Sequence, residues 1–259
     1  MSPIVLDAIP KVYYLATITV YMTKLRAYFS PFFLIRHYIK RDLIKLNSEN
    51  NICGAMLDVG CGQKPYRALF SKIEKYDGID FKTYSVNKDF SAAQPDYFFD
   101  DAYYTTGVLP FENATYDNTC AFQVLEHHPN PALLLSELTR VTKPGGYIIL
   151  SFPLLGGLHE LPNDYQRYTE NGFRKLAESI SNLRVVSVIP QGNFPASLIT
   201  IINEQLNNTA SKNKLAYIIS VALFSVMVPI QMIVYLLDSI LTPKHIFVNY
   251  LVLCKKNKN

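Results

Sequence analysis

The sequence predicts an α/β fold, a mostly parallel sheet with helices on both faces. Three observations predict it. Short apolar runs alternate with helical segments between residues 55 and 189, the pattern of successive βαβ units. The first run, AMLDVG at 55–60, ends in a glycine-rich turn, and acids end the next two runs at Asp80 and at Asp100-Asp101. A hydrophobic share of 49% over 259 residues supplies a full core without disulfide or metal support.

The elements follow in order. Residues 4–46 mix Tyr, Phe, Ile and Leu with Lys and Arg, and predict two helices broken at Ser30-Pro31. Ser30 suits the N-cap of the second helix and Pro31 its first turn. Residues 47–54 read as a polar linker, 55–60 as a strand, 65–74 as a helix, and 76–80, 97–99 and 119–124 as strands. Asn130-Pro131 starts a helix through Val141, and Lys143-Pro144-Gly145-Gly146 stops it. A buried-type strand at 147–152, a helix at 169–179 and a strand at 183–189 follow. Residues 194–243 break this rhythm with an uncharged run of 23 residues, 215–237, before a last strand at 246–254 and a basic tail. The expected organisation is N-terminal helices at 1–50 and a sheet domain at 51–259 that carries the apolar helical insertion 194–243.

Charge is distributed unevenly. Residues 1–50 carry 7 Lys/Arg against 3 Asp/Glu, residues 51–192 carry 12 against 16, and residues 193–259 carry 6 against 2. Two basic, apolar flanks therefore bracket an acidic middle. That arrangement argues against nucleic acid as a partner, which needs a basic site. It suits an anionic membrane surface. The four cysteines, Cys53, Cys61, Cys120 and Cys254, form no CxxC pair, so neither a zinc knuckle nor a disulfide framework is expected. No secretory signal is read at the start, where Asp7 and Pro10 interrupt the apolar run. The expected location is cytoplasmic, peripheral on the inner face of the membrane.

Chemistry concentrates after the first strand, in Leu57-Asp58-Val59-Gly60-Cys61-Gly62. Its glycines let a ligand approach the backbone. A dinucleotide fingerprint would want a third glycine where Pro65 stands, which counts against NAD. Asp80 follows Gly62 by 18 residues, the place of an acid that accepts from both ribose hydroxyls. Three acids at the ends of three consecutive strands suit a ligand rich in donors and positive charge.

On the strings LDVGCGQKPY, GIDF, LPFENATYD, FQVLEHHPNP and LTRVTKPGGYIILSFP, residues 56–152 resemble the class I S-adenosylmethionine-dependent methyltransferases of the type 11 branch. The string HELPNDYQRYTENGF at 159–173 resembles a subgroup that decorates bacterial polysaccharides and glycolipids. The resemblance implies a Rossmann-like sheet of seven strands, the last antiparallel, and S-adenosylmethionine as cofactor. It implies that Asp58, Gly60 and Gly62 line the cofactor's methionine end and that Asp80 holds its ribose. It places adenine at Asp100 or Asp101, with Asp100 preferred, the amino group beside Phe122 and Gln123, and the carboxylate near Tyr66.

Methyl transfer to a hydroxyl needs in-line approach and benefits from a general base. The candidates are His127 just after the fourth strand, and His159 and Asp164 on the loop after the fifth. A structural hydrogen bond competes as the role of His127, and loop anchoring competes as the role of Asp164 with Arg167 and Tyr168. No metal is expected, because Glu126 and His127 are adjacent and one adjacent pair is poor ligand geometry.

The run 215–237 has the length of a membrane span. A single crossing conflicts with the return of the last strand to the sheet, and Lys212, Lys214 and Lys244 make both ends basic. Pro229 is expected to split the run, giving an in-plane or shallow re-entrant pair. The expected function is methyl transfer to an oxygen of a lipid-linked sugar, other glycolipid or quinone-like molecule. The alternatives are a soluble enzyme of small molecules or nucleotide sugars whose apolar flanks form a homodimer, and a non-catalytic scaffold.

Overall fold

In a computed structural model the described residues are 30–82, 94–99, 103, 106–210, 212–237, 240 and 245–258. The chain divides into a sheet unit of residues 38–154, 158–191 and 249–259 and a helical unit of residues 1–37, 155–157 and 192–248.

The sheet unit contains seven strands, β1 (Gly54–Val59), β2 (Ile73–Asp80), β3 (Tyr97–Phe98), β4 (Tyr116–Phe122), β5 (Thr142–Pro153), β6 (Leu183–Gln191) and β7 (Asn249–Lys256). Their order in the sheet is β3-β2-β1-β4-β5-β7-β6. The pairings from β3 through β5 are parallel, and β7 runs antiparallel to both β5 and β6. This is the expected fold class: a Rossmann-like sheet with an antiparallel last strand, N-terminal helix and helical insertion. The strand order reverses between β1 and β4, so their C-terminal ends flank the crevice where such sheets bind ligands.

Burial follows the strand chemistry. In β1, Met56, Leu57 and Val59 are fully buried, and so are Ile148, Ile149 and Leu150 in β5 and Leu251 and Val252 in β7. Central strands covered on both faces need such continuous apolar runs. Helix α1 (Phe33–Asn50) precedes the sheet, and its residues Tyr38, Ile39 and Leu43 are wholly buried. Helix α2 (Pro131–Val141) starts as expected, with the Asn130 side chain accepting from Leu133 N and Pro131 in the first turn. Helix α3 (Glu170–Glu178) is capped by the Thr169 hydroxyl, which accepts from Gly172 N.

Several boundaries differ from expectation. Residues 47–50 continue α1 rather than forming a linker. The helix expected at 65–74 is a single 3-10 turn, Arg67–Leu69. Asn47 Nδ2 donates to the Leu69 carbonyl at 3.1 Å, and β2 already begins at Ile73 beside Gly54, so no length remains for an α-helix. The Lys143-Pro144-Gly145-Gly146 stop lies inside β5, which follows α2 directly at Thr142. The last strand starts at Asn249, three residues later than expected. The first N-terminal helix lies outside the described residues.

In the helical unit, α4 (Phe194–Ala210) and α5 (Lys214–Leu237) form an antiparallel-type pair joined by a short turn. Asn203 Nδ2 donates to Gln231 Oε1 at 3.2 Å, and both residues are buried. A buried amide pair of this kind fixes the register of two otherwise apolar helices. The beginning of α1 joins them through the His37 ring, whose centroid is 4.1 Å from that of Tyr235. Pro229 does not split the run: α5 is one helix of 24 residues. The turns on either side of Pro229 continue the helix despite the missing N–H.

Candidate functional site

The site grows from the C-terminal edge of the sheet. β1 ends at Val59 and the chain turns sharply. Gly60 adopts φ +69°, and a Cβ there would stand 2.5 Å from Val124 Cγ2. Both the backbone conformation and the neighbouring loop require glycine. Gly62 also has positive φ, +50°, but a Cβ built on it meets nothing within 4 Å. One glycine thus closes the turn against protein, and the other borders open space.

Asp80 ties this loop to the end of β2. Its Oδ2 accepts from Gly62 N and its Oδ1 from Phe81 N, each at 2.7 Å. Lys64 reinforces the turn from below. Its buried ammonium pairs with Asp96, which also accepts from Gly78 N at 2.6 Å. Lys64 and Asp96 carry no motif signal and were not singled out in the sequence; only the positive φ of Lys64 within the loop marks it.

Asp58 lies beneath the turn and is 1% exposed. Its Oδ2 accepts from the Tyr76 hydroxyl at 2.7 Å. Its Oδ1 is buried without a hydrogen-bond partner among the described residues. Burial pushes the Asp58 carboxyl up to about 7, against the lowering effect of the Tyr76 and Cys120 contacts. An orphaned carboxylate oxygen in a buried position calls for a donor, such as an ammonium group.

Tyr66 and Phe122 meet each other, ring centroids 4.8 Å apart and edge to face. Gln123 follows β4 with φ +57°. Its Nε2 donates to Ser151 Oγ at 2.8 Å and to Asn249 Oδ1 at 3.0 Å. Asn249 Nδ2 in turn donates to Gln191 Oε1, and Gln191 Nε2 to Asp42 Oδ2. This chain of polar side chains carries no local sequence signal, because its members come from five distant segments. The structure therefore brings Asp58, Gly60, Gly62, Tyr66, Asp80, Phe122 and Gln123 to one edge. Asp100 and Asp101 lie outside the described residues. The orphaned Asp58 oxygen, the open space at Gly62 and the two Asp80 oxygens fit a ligand with an ammonium group and a ribose.

A second cluster follows β4. The 3-10 turn Leu125–His127 presents Glu126 and His127. The loop after β5 is fastened onto it: Tyr165 N donates to Glu126 O at 2.9 Å, and Gln166 Nε2 donates to Leu125 O and His128 O, both at 2.8 Å. This brings the His127 and His159 rings to a centroid distance of 4.7 Å. His127 Nδ1 is 2.7 Å from Asn163 O.

Asp164 has no exposed side-chain surface. Arg167 grips both of its oxygens, and His159 N donates to Oδ2 at 3.0 Å. The Arg167 guanidinium, the largest cause, holds the Asp164 carboxyl down to about 2. A carboxylate so committed is a poor proton acceptor near neutral pH. Its geometry is that of an orienting group for His159, whose Nδ1 lies 3.5 Å away. Glu126 is the opposite case. It is 1% exposed, and neither oxygen has a hydrogen-bond partner among the described residues. Burial pushes its carboxyl up to about 8. One ligating atom of each of Glu126, His127 and His159 lies within 4.8 Å of the others. The adjacent pair seen in the sequence thus gains a third member from 32 residues further along.

Residues 57–150 match a family model described as a methyltransferase domain. A tRNA U34 carboxymethyltransferase of Nautilia profundicola is 32% identical over 179 residues, which cover 66% of this chain and 58% of that protein. An uncharacterised methyltransferase of Mycobacterium tuberculosis is 32% identical over 122 residues, covering 44% of this chain and 46% of that protein. The chain thus spans less than two thirds of the length of these curated relatives. Among solved structures, the cyclase SpnF superposes with a TM-score of 0.54 at 17% identity, over 85% of this chain and 82% of that one. Phosphoethanolamine N-methyltransferase 2 of Haemonchus contortus, solved with phosphomonomethylethanolamine and S-adenosylhomocysteine, gives 0.52 at 16% identity, over 95% and 60%. At these identities the two structures speak for the fold.

Proposed function

We propose that this chain, whose residues 57–150 match a family model described as a methyltransferase domain, is a class I S-adenosylmethionine-dependent enzyme that transfers a methyl group to an oxygen atom of a lipid-linked acceptor at a membrane surface. When bound, S-adenosylmethionine supplies an electrophilic methyl group on a sulfonium. The Asp58 carboxyl receives the cofactor's ammonium group, Asp80 holds the ribose hydroxyls, and Gly60 and Gly62 let the backbone approach. Gln123, locked by Ser151 and Asn249, keeps the end of β4 fixed beside them. The cluster of Glu126, His127 and His159 faces the acceptor and activates its hydroxyl. Asp164 acts as a positioning residue through His159.

The observation that carries the choice of acceptor is the exposed face of α5. The helix has a mean hydropathy of 2.2 over its most apolar window, and only 22% of that window is buried. Leu215, Ile219, Val226 and Ile233 are each at least half exposed, and Leu198 and Ile201 of α4 are exposed as well. An apolar patch of this extent marks an interaction surface. A core helix would be mostly buried. Lys212 and Lys214 at the start of α5 favour anionic headgroups. A lipid-linked sugar, the acceptor class favoured by the resemblance of residues 159–173, is presented at such a surface. The relative that acts on tRNA suggests another acceptor, but the net negative charge of residues 51–192 opposes a polyanion.

Flotation with vesicles tests the surface. The full chain is expected to float with vesicles containing anionic lipid, less with neutral ones, and Ile219→Asp with Val226→Asp is expected to abolish flotation. A chain that stays at the bottom of the gradient as a dimer contradicts the membrane assignment.

A further inference from the structure

We propose that Glu126, His127 and His159 bind a divalent transition-metal ion. The three ligating atoms lie within 4.8 Å of one another, and His127 Nε2 is 3.9 Å from Glu126 Oε1. Tetrahedral zinc bonds of about 2.0–2.2 Å put ligand atoms about 3.4 Å apart. The cluster reaches that spacing by side-chain movements of about an ångström.

Three features point to an ion rather than to a chance grouping. The first is Glu126. Its side chain is 1% exposed and both oxygens lack a hydrogen-bond partner among the described residues. Buried carboxylates are paired, hydrogen-bonded or coordinated to metals. The second is the orientation of His127. Its Nδ1 is held by the Asn163 carbonyl at 2.7 Å, which accepts from the ring and so places the proton on Nδ1. The lone pair then sits on Nε2, the nitrogen on the Glu126 side, as in metal-bound imidazoles. The third is the partner of His159. The Asp164 carboxylate stands 3.5 Å from its Nδ1 and is itself fixed by Arg167. Carboxylate–histidine–metal chains use this outer contact to aim the ring.

Two imidazoles and one carboxylate suit Zn²⁺, Mn²⁺ or Fe²⁺. Mg²⁺ and Ca²⁺ prefer oxygen ligands. With three protein ligands, such an ion keeps a coordination position for an acceptor hydroxyl and lowers its pKa, so that its proton leaves to water. This last role rests on the proposed function; the binding of the ion does not.

The test uses the full chain, stripped with a chelator and titrated with Zn²⁺ alone against a chromophoric competitor. S-adenosylhomocysteine affinity is measured in parallel. The chain is expected to bind one equivalent of Zn²⁺. Glu126→Gln and His159→Asn are each expected to weaken it about tenfold or more, with cofactor affinity unchanged. His159 is on a loop with its side chain 43% exposed, so its substitution leaves the core intact. No stoichiometric binding, or equal Zn²⁺ affinity in parent and both variants, would overturn the site. Zinc binding without any methyl transfer would instead overturn the proposed function and leave the metal site standing.

Discussion

The backbone N–H of Gly62 donates to Asp80 Oδ2 at 2.7 Å, tying the turn after β1 to the end of β2. Asp80 therefore fixes the loop, and under the proposed function it also holds the cofactor's ribose. Asp80→Ala is expected to lower cofactor affinity at least about 100-fold, roughly two charge-assisted hydrogen bonds. Titration calorimetry with S-adenosylhomocysteine checks this, and near-parental affinity in the variant would remove Asp80 from the site.

Gly60 tests the turn independently of ligand. Gly60→Ala adds a Cβ 2.5 Å from Val124 Cγ2 at φ +69°. The expected loss is about 1–3 kcal/mol of stability, read from denaturant midpoints. Shortening the neighbour with Val124→Ala should recover part of it.

Asp58 predicts a pH dependence. Its carboxyl is raised from 3.8 to about 7, first by burial. A group whose folded pKa is raised favours the folded state below its unfolded pKa, and that advantage is lost as pH rises through about 7. Asp58→Asn removes the titration. Its stability relative to the parent is expected to improve by about 2–3 kcal/mol between pH 5 and pH 8, while it binds cofactor more weakly. Thermal unfolding at the two pH values measures the first effect. A constant difference would contradict the buried ionisation.

Arg167 and Asp164 predict the opposite sign. Arg167 holds the Asp164 carboxyl down to about 2, so this pair stabilises the fold above the unfolded pKa near 4 and fails as pH falls towards 2. Arg167→Gln is expected to raise the Asp164 pKa and to lower kcat about tenfold or more through misplacement of His159, with cofactor affinity unchanged. Unaltered kcat would reduce the pair to a loop anchor.

Much of this was legible in the sequence, for physical reasons that differ by element. The central strands were readable because buried strands leave short apolar runs between turn residues. α2 was read to the residue because Asn130-Pro131 and Val141 mark both ends. The meeting of the turn at Gly60 and Gly62 with Asp80 was readable because these residues sit in short motifs at the ends of neighbouring strands. The helix expected at 65–74 failed because its apolar spacing, Tyr66 and Phe70, serves a compact turn whose length is limited by the start of β2. Pro229 does not break α5, since the helical turns around it continue without its N–H. The chain from Gln123 through Asn249 to Asp42 and the meeting of His127 with His159 were invisible, because long-range contacts decide them and no local spacing encodes them.

The central claim is methyl transfer to a lipid-borne oxygen. The most direct measurement incubates purified full-length protein with S-adenosylmethionine labelled on its methyl group and a whole-cell extract of its source, then separates organic-soluble, aqueous small-molecule and RNA fractions. Label is expected in the organic fraction, lost in Asp80→Ala and sharply reduced in His159→Asn. Label confined to the RNA or to the aqueous small molecules would contradict it.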